Sequence, residues 1–296
     1  MDVCETSGRI IKGVGGFYEI LLPDGQQITC KARGRFRKEG TTPMVGDMVD
    51  IQLRHDGESA IEAIHPRKNA LLRPPVANID QLVIVAAASA PKPDWLLVDK
   101  LILQSEALGI HPLLVLNKLD EKSDDIVSAF LADYGGCFQT LCVSSRTGEG
   151  MDALKARLTG RISCFAGQSA VGKSSLLNGL LPELALEVGG LAKRTDRGRH
   201  TTRHAELWPA FGGAVLDTPG FSLLEQEDLT QALLDSCYPE FGDAPKDCRF
   251  AGCRHMAEPD CGVKKLLETG RLSAGRYDRY CMLANEIEQR RKHQYD

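Results

Sequence analysis

The chain has 296 residues, of which 43 % are apolar and 26 % are charged, and its formal net charge is −4. These values are ordinary for a soluble globular protein and give no global argument for nucleic-acid binding. No run reaches the roughly 18 uncharged apolar residues of a membrane helix, and the N-terminus lacks a secretory signal, so we expect a cytoplasmic protein without a membrane partner.

Residues 1–70 are rich in short alternating segments separated by turn residues. Strand-like runs occupy residues 17–22, 27–30, 48–53 and 60–64. Several short strands with turn signals between them predict a small β-barrel or sandwich. We favour an OB-type barrel, because it would carry the basic stretch at residues 31–38 as a strand on an exposed face. A charge run by itself is more often only a solvated face.

The next ten residues, 71–80, contain two prolines and are interpreted as a linker. Strand-like segments then follow at 82–88, 113–116, 140–143 and 162–166, with helical segments at 95–108, 124–134 and 151–158. This alternation predicts a mostly parallel sheet covered on both faces. Beyond about residue 225 the pattern becomes helical. We therefore divide the chain into residues 1–70, 71–225 and 226–296.

A guanine-recognition pattern, N-K-x-D, follows the second of these strands. Its fixed residues are Asn117, Lys118 and Asp120. Asp120 can accept hydrogen bonds from N1–H and the 2-amino group of guanine, which adenine does not offer. Ser144 and Ser145 follow the next strand, where GTPases present backbone N–H groups to the guanine oxygen. The pattern is short, and it gains weight from its place at the end of a parallel strand.

A phosphate-binding loop follows the strand at residues 162–166 and precedes a helix, the context that makes the motif G-x-x-x-x-G-K-S credible. It consists of Gly167, Gln168, Ser169, Ala170, Val171, Gly172, Lys173 and Ser174, with Ser175 next. The glycines let backbone N–H groups surround phosphate oxygens, and the helix N-terminus adds partial positive charge. Lys173 supplies charge to the phosphates, and Ser174 can ligate Mg²⁺.

A second magnesium-binding and γ-phosphate motif, D-x-x-G, runs from Asp217 to Gly220. Between it and the phosphate loop, the basic segment 198–203 is well placed to be a switch, and Thr202 is our preferred further Mg²⁺ ligand.

Ordinary GTPases place the phosphate loop first and the base motifs last. Here the base motifs come first, so the four motifs are in a circularly permuted order, which is feasible where domain termini lie close together.

A metal-binding pattern, C-x4-C-x-H-x5-C, lies near the C-terminus. Its members are Cys248, Cys253, His255 and Cys261. Three thiolates and an imidazole within fourteen residues favour a structural Zn²⁺ site with all four positions filled by protein. Unrelated buried cysteines or a redox pair are the alternatives.

Together these motifs resemble the RsgA/YjeQ family of circularly permuted GTPases, which act in late maturation of the small ribosomal subunit. The resemblance covers essentially the whole chain. It implies an OB barrel, a permuted GTPase domain and a C-terminal zinc domain, in a monomer that binds GTP or GDP, the small ribosomal subunit and its rRNA. It also implies slow intrinsic hydrolysis that the subunit stimulates.

The resemblance further suggests roles for residues outside the nucleotide motifs. The basic stretch becomes a candidate RNA-binding surface, formed by Lys31, Arg33, Arg35, Phe36, Arg37 and Lys38. Arg35 and Phe36 side by side fit a surface that combines phosphate contacts with base stacking. Phe221 stands where Ras-like GTPases carry a water-orienting glutamine, so His200 is the candidate catalytic residue, with a phosphate- or RNA-facing histidine as the alternative.

Two other functions stay open at this point. A P-loop ATPase or kinase would bind ATP without guanine preference, which Asn117, Lys118 and Asp120 argue against. An RNA-binding scaffold would bind nucleotide without turnover, which the missing glutamine allows.

Overall fold

The structure is a computed structural model that describes residues 4–38, 40–53, 59–72, 75–184, 205–217 and 229–293. Within these ranges the chain forms a β-barrel, an α/β layer and a helical C-terminal unit. Among the helices of these ranges, none is long and apolar enough to cross a membrane.

The N-terminal strands close into a five-stranded barrel in the order β1-β2-β3-β5-β4. The strands are β1 (Cys4–Val14), β2 (Phe17–Leu21), β3 (Gln27–Ala32), β4 (Met48–Leu53) and β5 (Ser59–Ile64). β1 pairs with β4 along its first half and with β2 along its second half, which closes the barrel. The interior is filled by apolar side chains, including Ile10, Ile20, Val49, Ile51 and Ile61. This confirms the predicted OB-type barrel.

The basic stretch at residues 31–38 is the predicted strand only at Lys31 and Ala32, and most of its remainder forms a short helix. β3 ends at Ala32, and helix α1 spans Gly34–Lys38. Phe36 on this helix is only 6 % exposed and belongs to the apolar core. The expectation of an exposed ring at this position is therefore wrong. Phe36 is the one large apolar side chain of the stretch, and removing its ring from water favours a backbone that points it into the core.

Residues 71–80 include a hairpin and are not the linker that their prolines predicted. Strands β6 (Ala70–Leu72) and β7 (Pro75–Ala77) pair antiparallel. Leu71 is fully buried, and the amide of Ala77 donates to the carbonyl oxygen of Val45 at 2.8 Å. The hairpin is therefore attached to the barrel by both apolar burial and backbone hydrogen bonding.

The α/β layer is a six-stranded sheet in the order β10-β9-β8-β11-β13-β12, parallel except for the pair of β12 with β13. The strands are β8 (Gln81–Ala87), β9 (His111–Asn117), β10 (Gln139–Cys142), β11 (Ile162–Ala166), β12 (Trp208–Ala210) and β13 (Gly213–Asp217). The helices are α2 (Trp95–Ala107), α3 (Asp124–Tyr134), α4 (Met151–Leu158) and α5 (Lys173–Leu180).

Alternate residues of β8 belong to different apolar clusters, one on each face of the sheet. All residues of β8 and β11 are buried, as expected for parallel strands covered on both sides. The predicted α/β layer is confirmed, and its strand and helix positions agree with the sequence pattern to within two residues.

The C-terminal unit is helical, as predicted. It contains α6 (Gln231–Ser236), α7 (Gly262–Glu268) and α8 (Ala274–His293), with 3₁₀ turns at Pro239–Phe241 and Ala244–Asp247. Both α6 and α8 pack against α2 of the α/β layer. The unit therefore shares an interface with the domain that carries the nucleotide motifs.

Candidate nucleotide site and metal centre

The phosphate-loop motif lies at the carboxyl end of strand β11. It follows Ala166 and leads into α5 at Lys173. Gly167 and Gly172 have φ angles of 132° and 97°, which side-chain-bearing residues rarely adopt. At Gly167 a Cβ atom would lie 2.2 Å from the carbonyl oxygen of Val85. The backbone between β11 and α5 therefore requires glycine at both positions, and such a turn can direct N–H groups at an anion.

The side chain of Lys173 returns over this loop. Its Nζ donates to the carbonyl oxygens of Gly167 and Gln168, both at 2.9 Å. Ser174 and Ser175 lie in the first turn of α5, where the helix N-terminus favours negative charge. The remaining loop residues, Ser169, Ala170 and Val171, form the turn between the two glycines. The loop thus offers amide, ammonium and hydroxyl groups to one ligand, as a chain of phosphates requires.

Asn117 connects the predicted base motifs with the phosphate loop. It is fully buried at the end of β9, and its Nδ2 donates to the carbonyl oxygen of Val171 at 3.0 Å. Its Oδ1 accepts from the amide of Ser145 at 3.2 Å. One side chain therefore joins three segments that are separate in sequence, and it brings the base and phosphate motifs to one edge of the sheet.

Asp120 presents an ionised acceptor beside Asn117. The hydroxyl of Ser144 donates to Oδ1 of Asp120 at 2.5 Å. This hydrogen bond, together with the nearby charges of Arg146 and Lys118, keeps the pKa of the Asp120 carboxyl below its ordinary value. Lys118 has a left-handed backbone with φ of 67°, and its Nζ donates to the carbonyl oxygen of Ala90 at 2.6 Å. The carboxylate can thus accept hydrogen bonds from a guanine ring near neutral pH.

Arg146 follows Ser144 and Ser145 in the second base motif, but it was not among the predicted guanine-binding residues. Its Nε lies 2.7 Å from Oδ2 of Asp120. The available signal was its position directly after Ser144 and Ser145, within the loop that joins β10 to α4. A cation there favours the ionised form of Asp120.

The remaining nucleotide motifs fall only partly on described residues. The backbone of Asp217 ends β13, where it is paired with Phe165 of β11. It therefore lies at the sheet edge that carries the phosphate loop. The side chain of Asp217 and the residues His200, Thr202 and Gly220 lie outside the described part of the chain.

The four predicted metal ligands converge in the C-terminal unit. The ligand atoms of Cys248, Cys253, His255 and Cys261 all lie within 4.8 Å of one another. Sγ of Cys248 is 3.8 Å from Sγ of Cys261 and 3.5 Å from Nδ1 of His255. Tetrahedral zinc, with Zn–S about 2.3 Å and Zn–N about 2.0–2.1 Å, separates its ligand atoms by about 3.5–3.8 Å. The side chains therefore fit one zinc ion, with Nδ1 of His255 as its nitrogen ligand.

The electrostatics of this cluster also suit a cation. Burial raises the pKa of the Cys253 thiol to about 12, so a thiolate there needs an adjacent positive charge. Burial lowers the pKa of His255, which keeps the imidazole in its neutral, ligating form. The amide of Gly262 donates to Sγ of Cys248 at 3.4 Å. Since protein groups fill all four positions, the geometry suits a structural metal rather than a catalytic one.

The basic residues of the barrel lie beside an exposed aromatic ring that the sequence analysis overlooked. Nζ of Lys31 is 4.9 Å from the ring centroid of Phe17, and Phe17 is 46 % exposed. Arg33 and Arg35 both form ion pairs with Glu62. The alternation of β2, with buried Ile20 on the opposite face, was the signal that places Phe17 outside.

The other RNA-binding candidates differ in exposure. Lys38 is exposed at the end of α1, whereas Phe36 is buried. The side chain of Arg37 lies outside the described part of the chain. The structure therefore leaves a surface in which arginines and lysines, without the Phe36 ring, face the solvent.

Comparison with known proteins identifies matching families for both major parts of the chain. The family described as RsgA GTPase matches residues 64–227. The family described as RsgA N-terminal domain matches residues 7–61. The two matches follow each other directly along the chain.

Curated relatives align over almost the full length. A Geobacillus sp. (strain WCH70) protein named small ribosomal subunit biogenesis GTPase RsgA is 41 % identical over 290 residues, which cover 97 % of this chain and 99 % of that protein. A protein of the same name from Caldanaerobacter subterraneus subsp. tengcongensis is 42 % identical over 290 residues, with coverages of 97 % and 98 %.

Solved structures show the same architecture. YjeQ from Thermotoga maritima superposes with a TM-score of 0.83 at 35 % identity, over 96 % of this chain and 99 % of that chain. YloQ, described as a circularly permuted GTPase, superposes with a TM-score of 0.79 at 36 % identity, over 97 % of this chain and 96 % of that chain.

Proposed function

The chain belongs to the RsgA family of GTPases and is a GTP-hydrolysing enzyme of small-subunit biogenesis, and we propose that the small ribosomal subunit stimulates this hydrolysis during late maturation. The observation that carries the nucleotide-binding part of the proposal is the buried Asn117, which joins the guanine motif to the phosphate loop at 3.0 Å, and the subunit-dependent part is supported by the names of the relatives. The Asn117 contact gives the circularly permuted chain one composite site for a guanine nucleotide.

In the proposed site, the base and the phosphates are bound by different loops. Asp120 accepts hydrogen bonds from guanine, and its pKa, held low by Ser144, keeps the acceptor charged. The turn at 167–172 donates backbone N–H groups to the phosphates. Lys173 then exchanges its contacts with two loop carbonyl oxygens for phosphate oxygens.

Magnesium accompanies the nucleotide in this proposal. Ser174 is the second residue of α5, and the backbone of Asp217 lies at the same sheet edge because β13 pairs with β11. We assign both residues to Mg²⁺, together with Thr202. When bound, Mg²⁺ neutralises charge that develops on the transferred phosphoryl group.

The catalytic assignment rests on chemistry rather than on described geometry. Phe221 follows Gly220 where a water-orienting glutamine would stand, and an apolar side chain cannot orient water. His200, in the basic segment 198–203, is our candidate for this task. The same hypothesis treats this segment as a switch and assigns a γ-phosphate contact to Gly220. His200→Ala should abolish subunit-stimulated turnover and leave GDP affinity unchanged.

The C-terminal cluster of three cysteines and His255 holds Zn²⁺ as a structural ion in this proposal. The ligand spacings, the neutral imidazole and the amide donated to Cys248 support it. Zinc supplies the positive charge that buried thiolates need, and it fixes the loop on which they lie.

The barrel is the proposed rRNA-binding domain, and its basic residues from Lys31 to Lys38 provide phosphate contacts. We retain a division into domains at residues 1–70, 71–225 and 226–296, in which the first boundary falls inside β6 and the hairpin of β6 and β7 is hydrogen-bonded to the barrel domain. The protein acts as a cytoplasmic monomer in this proposal.

Multiple-turnover GTP hydrolysis, measured with and without purified small ribosomal subunits and with ATP as the control substrate, tests the proposal. We expect strong stimulation that is specific for GTP and lost in Lys173→Ala. Equal ATP turnover would favour a P-loop ATPase. Tight GTP binding without stimulated turnover would favour an RNA-binding scaffold and would refute the ribosome-dependent function.

A further inference from the structure

A carboxylate buried between the α/β layer and the C-terminal unit connects three helices. Asp99 on α2 is 1 % exposed. Its Oδ1 lies 2.6 Å from Nη1 of Arg276, and its Oδ2 accepts from Nε of Arg279 at 2.6 Å. The hydroxyl of Tyr134 on α3 donates to Oδ1 at 2.6 Å. Since both arginines belong to α8, one carboxylate joins α2, α3 and α8.

The two arginines have further partners that fix their orientation. Nη2 of Arg279 donates to Asp133 of α3 at 2.8 Å. Nε of Arg276 donates to Glu240 at 2.7 Å, and its Nη2 donates to the carbonyl oxygen of Cys237 at 2.7 Å. Burial is the largest single effect on Arg276 and lowers its pKa, but Asp99 and, after it, Tyr238, Glu240 and Tyr134 together raise the pKa above its ordinary value, so the guanidinium stays ionised. We call Asp99, Arg276 and Arg279 the buried anchor.

The anchor resists rearrangement, because moving α8 away from α2 would leave buried charges without partners. Such separation is strongly unfavourable for groups inside a protein. A displacement of α8 must therefore either displace α2 and α3 with it or break the anchor.

The same helix α8 supports the metal-binding loop, residues 248–261, which carries the four metal ligands. The hydroxyl of Tyr277 donates to the carbonyl oxygen of His255 at 2.7 Å. The hydroxyl of Tyr280 donates to Oδ1 of Asp235 at 2.7 Å and lies 3.2 Å from the carbonyl oxygen of Arg254. Each tyrosine follows an anchor arginine directly in sequence, so one segment of α8 contacts both the metal loop and the anchor.

On its other side the anchor reaches the guanine-recognition loop. α3 begins directly after this loop, where the amide of Ser123 donates to the carbonyl oxygen of Ala88 at 2.8 Å. Nζ of Lys118 donates to the carbonyl oxygen of Ala90 at 2.6 Å, in the segment that leads into α2. The loop is therefore attached to the two helices that supply Asp99 and Tyr134.

We infer that the buried anchor couples the two ligand sites, so that guanine nucleotide and zinc each strengthen the binding of the other. Asp99, Arg276 and Arg279 act as positioning residues, since none of them belongs to the nucleotide motifs or to the metal-ligand set. In this inference zinc orders the metal-binding loop that contacts α8, and guanine orders the N-K-x-D loop that precedes α3. Because these loops share a rigid buried connection, ordering one reduces the freedom that the other must lose. The inference rests on the proposed binding of guanine nucleotide and zinc, and it adds their dependence on each other.

Two binding titrations on the full chain measure this coupling. The first determines zinc affinity by competition with a chromogenic chelator, with saturating GDP, with ADP or without nucleotide. The second determines GDP affinity for zinc-loaded and zinc-depleted protein. We expect GDP, and not ADP, to raise zinc affinity by about fivefold or more, a typical coupling between sites. Zinc should raise GDP affinity by the same factor, because thermodynamic linkage is reciprocal.

Variants of the anchor separate coupling from simple support of the fold. Arg279→Met removes the contacts to Asp99 and Asp133, while Arg276 keeps Asp99 paired. In this variant GDP should no longer raise zinc affinity, and zinc should no longer raise GDP affinity. The variant should still bind one zinc ion and should still bind GDP. Arg279→Lys should restore part of the coupling. Arg271→Met, which changes an exposed arginine of the same unit, serves as the matched control and should keep the full coupling.

If Arg279→Met does not fold, Tyr134→Phe provides the milder test, since it removes only the hydroxyl that joins α3 to Asp99. Zinc affinity that is unchanged by GDP in the wild-type protein, while both ligands bind, overturns the inference and leaves the proposed function intact. Retention of full coupling in folded anchor variants also overturns it. Absence of GDP binding altogether would instead contradict the proposed function.

Discussion

In the proposed site, guanine is distinguished from adenine by the hydrogen-bonding capacity of Asp120. Its oxygens are positioned by Ser144 and lie near Arg146. We expect Asp120→Asn to weaken GDP binding by at least about tenfold, because the amide replaces one of the two acceptor oxygens with an NH₂ donor that faces a donor of the ring. The amide can donate to the 2-oxo group of xanthine, so XDP binding should improve. Fluorescence titration with both nucleotides measures this change of preference.

The control for this variant is Glu121→Gln, which changes the adjacent, exposed carboxylate. It should leave the ratio of GDP to XDP affinity unchanged. An Asp120→Asn protein that still prefers GDP would show that another group reads the base.

Gly172 is constrained by both its backbone and its surroundings. Its φ is 97°, and a Cβ atom would lie 2.4 Å from Nδ2 of Asn117. We expect Gly172→Ala to reduce GTP affinity by about tenfold or more, because the added methyl strains the loop and displaces the side chain that joins the two motifs. Equilibrium binding of a fluorescent GTP analogue measures the effect.

Gly179 provides the matched comparison, since it lies inside α5 and a Cβ there would meet the flexible end of Met151 at 3.2 Å and, at an ordinary contact distance of 3.9 Å, the carbonyl oxygen of Ser145. Gly179→Ala should retain binding, and it should gain helix propensity. Equal affinity in the two variants would contradict the geometric argument for Gly172.

At the scale of elements, the sheet was predictable because its signals are local. β8 and β11 are continuous apolar runs, and buried parallel strands require such runs. The phosphate loop and Asn117 were also recognisable, because each is a short pattern at the end of such a strand. Their convergence required only the rule that parallel strands end at one edge.

The stretch from Lys31 to Lys38 was harder to predict, because competing local signals pointed to different structures. Its charges suggested an exposed strand, whereas burial of Phe36 produced the helix α1. Charge patterning describes which residues face water, and it does not determine how the backbone brings one apolar side chain to the core.

The hairpin formed by β6 and β7 is another element whose structure differs from the prediction, and its burial can be tested. Leu71 is fully buried, although prolines nearby suggested a linker. We expect Leu71→Ala to lower the free energy of unfolding by about 2–5 kcal/mol, through lost apolar contact and the cavity left behind. Urea denaturation followed by circular dichroism measures it.

Leu131→Ala is the control, since Leu131 is 47 % exposed on α3. This substitution should cost much less than Leu71→Ala. Comparable urea midpoints for the two variants would indicate that residues 71–80 behave as a linker after all.

At the scale of the whole molecule, the buried anchor could not be predicted from a single sequence. Arg276 and Arg279 lie in a highly charged segment that is typical of an exposed helix. Their partner Asp99 is 180 residues away from Arg279 in the chain. Only the docking of the C-terminal unit on α2 makes these charges buried and paired, and no local pattern reports that docking.

The net charge of −4 also hides an uneven distribution of charge across the molecule. The barrel carries Lys31, next to the exposed Phe17 ring, and Lys38 at the end of α1. If these lysines contact rRNA phosphates, each contact releases condensed cations when the complex forms. The affinity for small subunits must then fall steeply as salt is added, despite the acidic character of the whole chain.

Replacement of both lysines, Lys31→Gln with Lys38→Gln, tests this distribution. We expect weaker binding to small subunits and a slope of log affinity against log salt that is shallower by about one to two, since each phosphate contact contributes about 0.7–0.9 to the slope. Lys155→Gln, an exposed lysine on α4, should leave the slope unchanged. Sedimentation of the protein with subunits at several salt concentrations measures the slope. An unchanged slope in the double variant would assign the phosphate contacts to a surface other than the barrel.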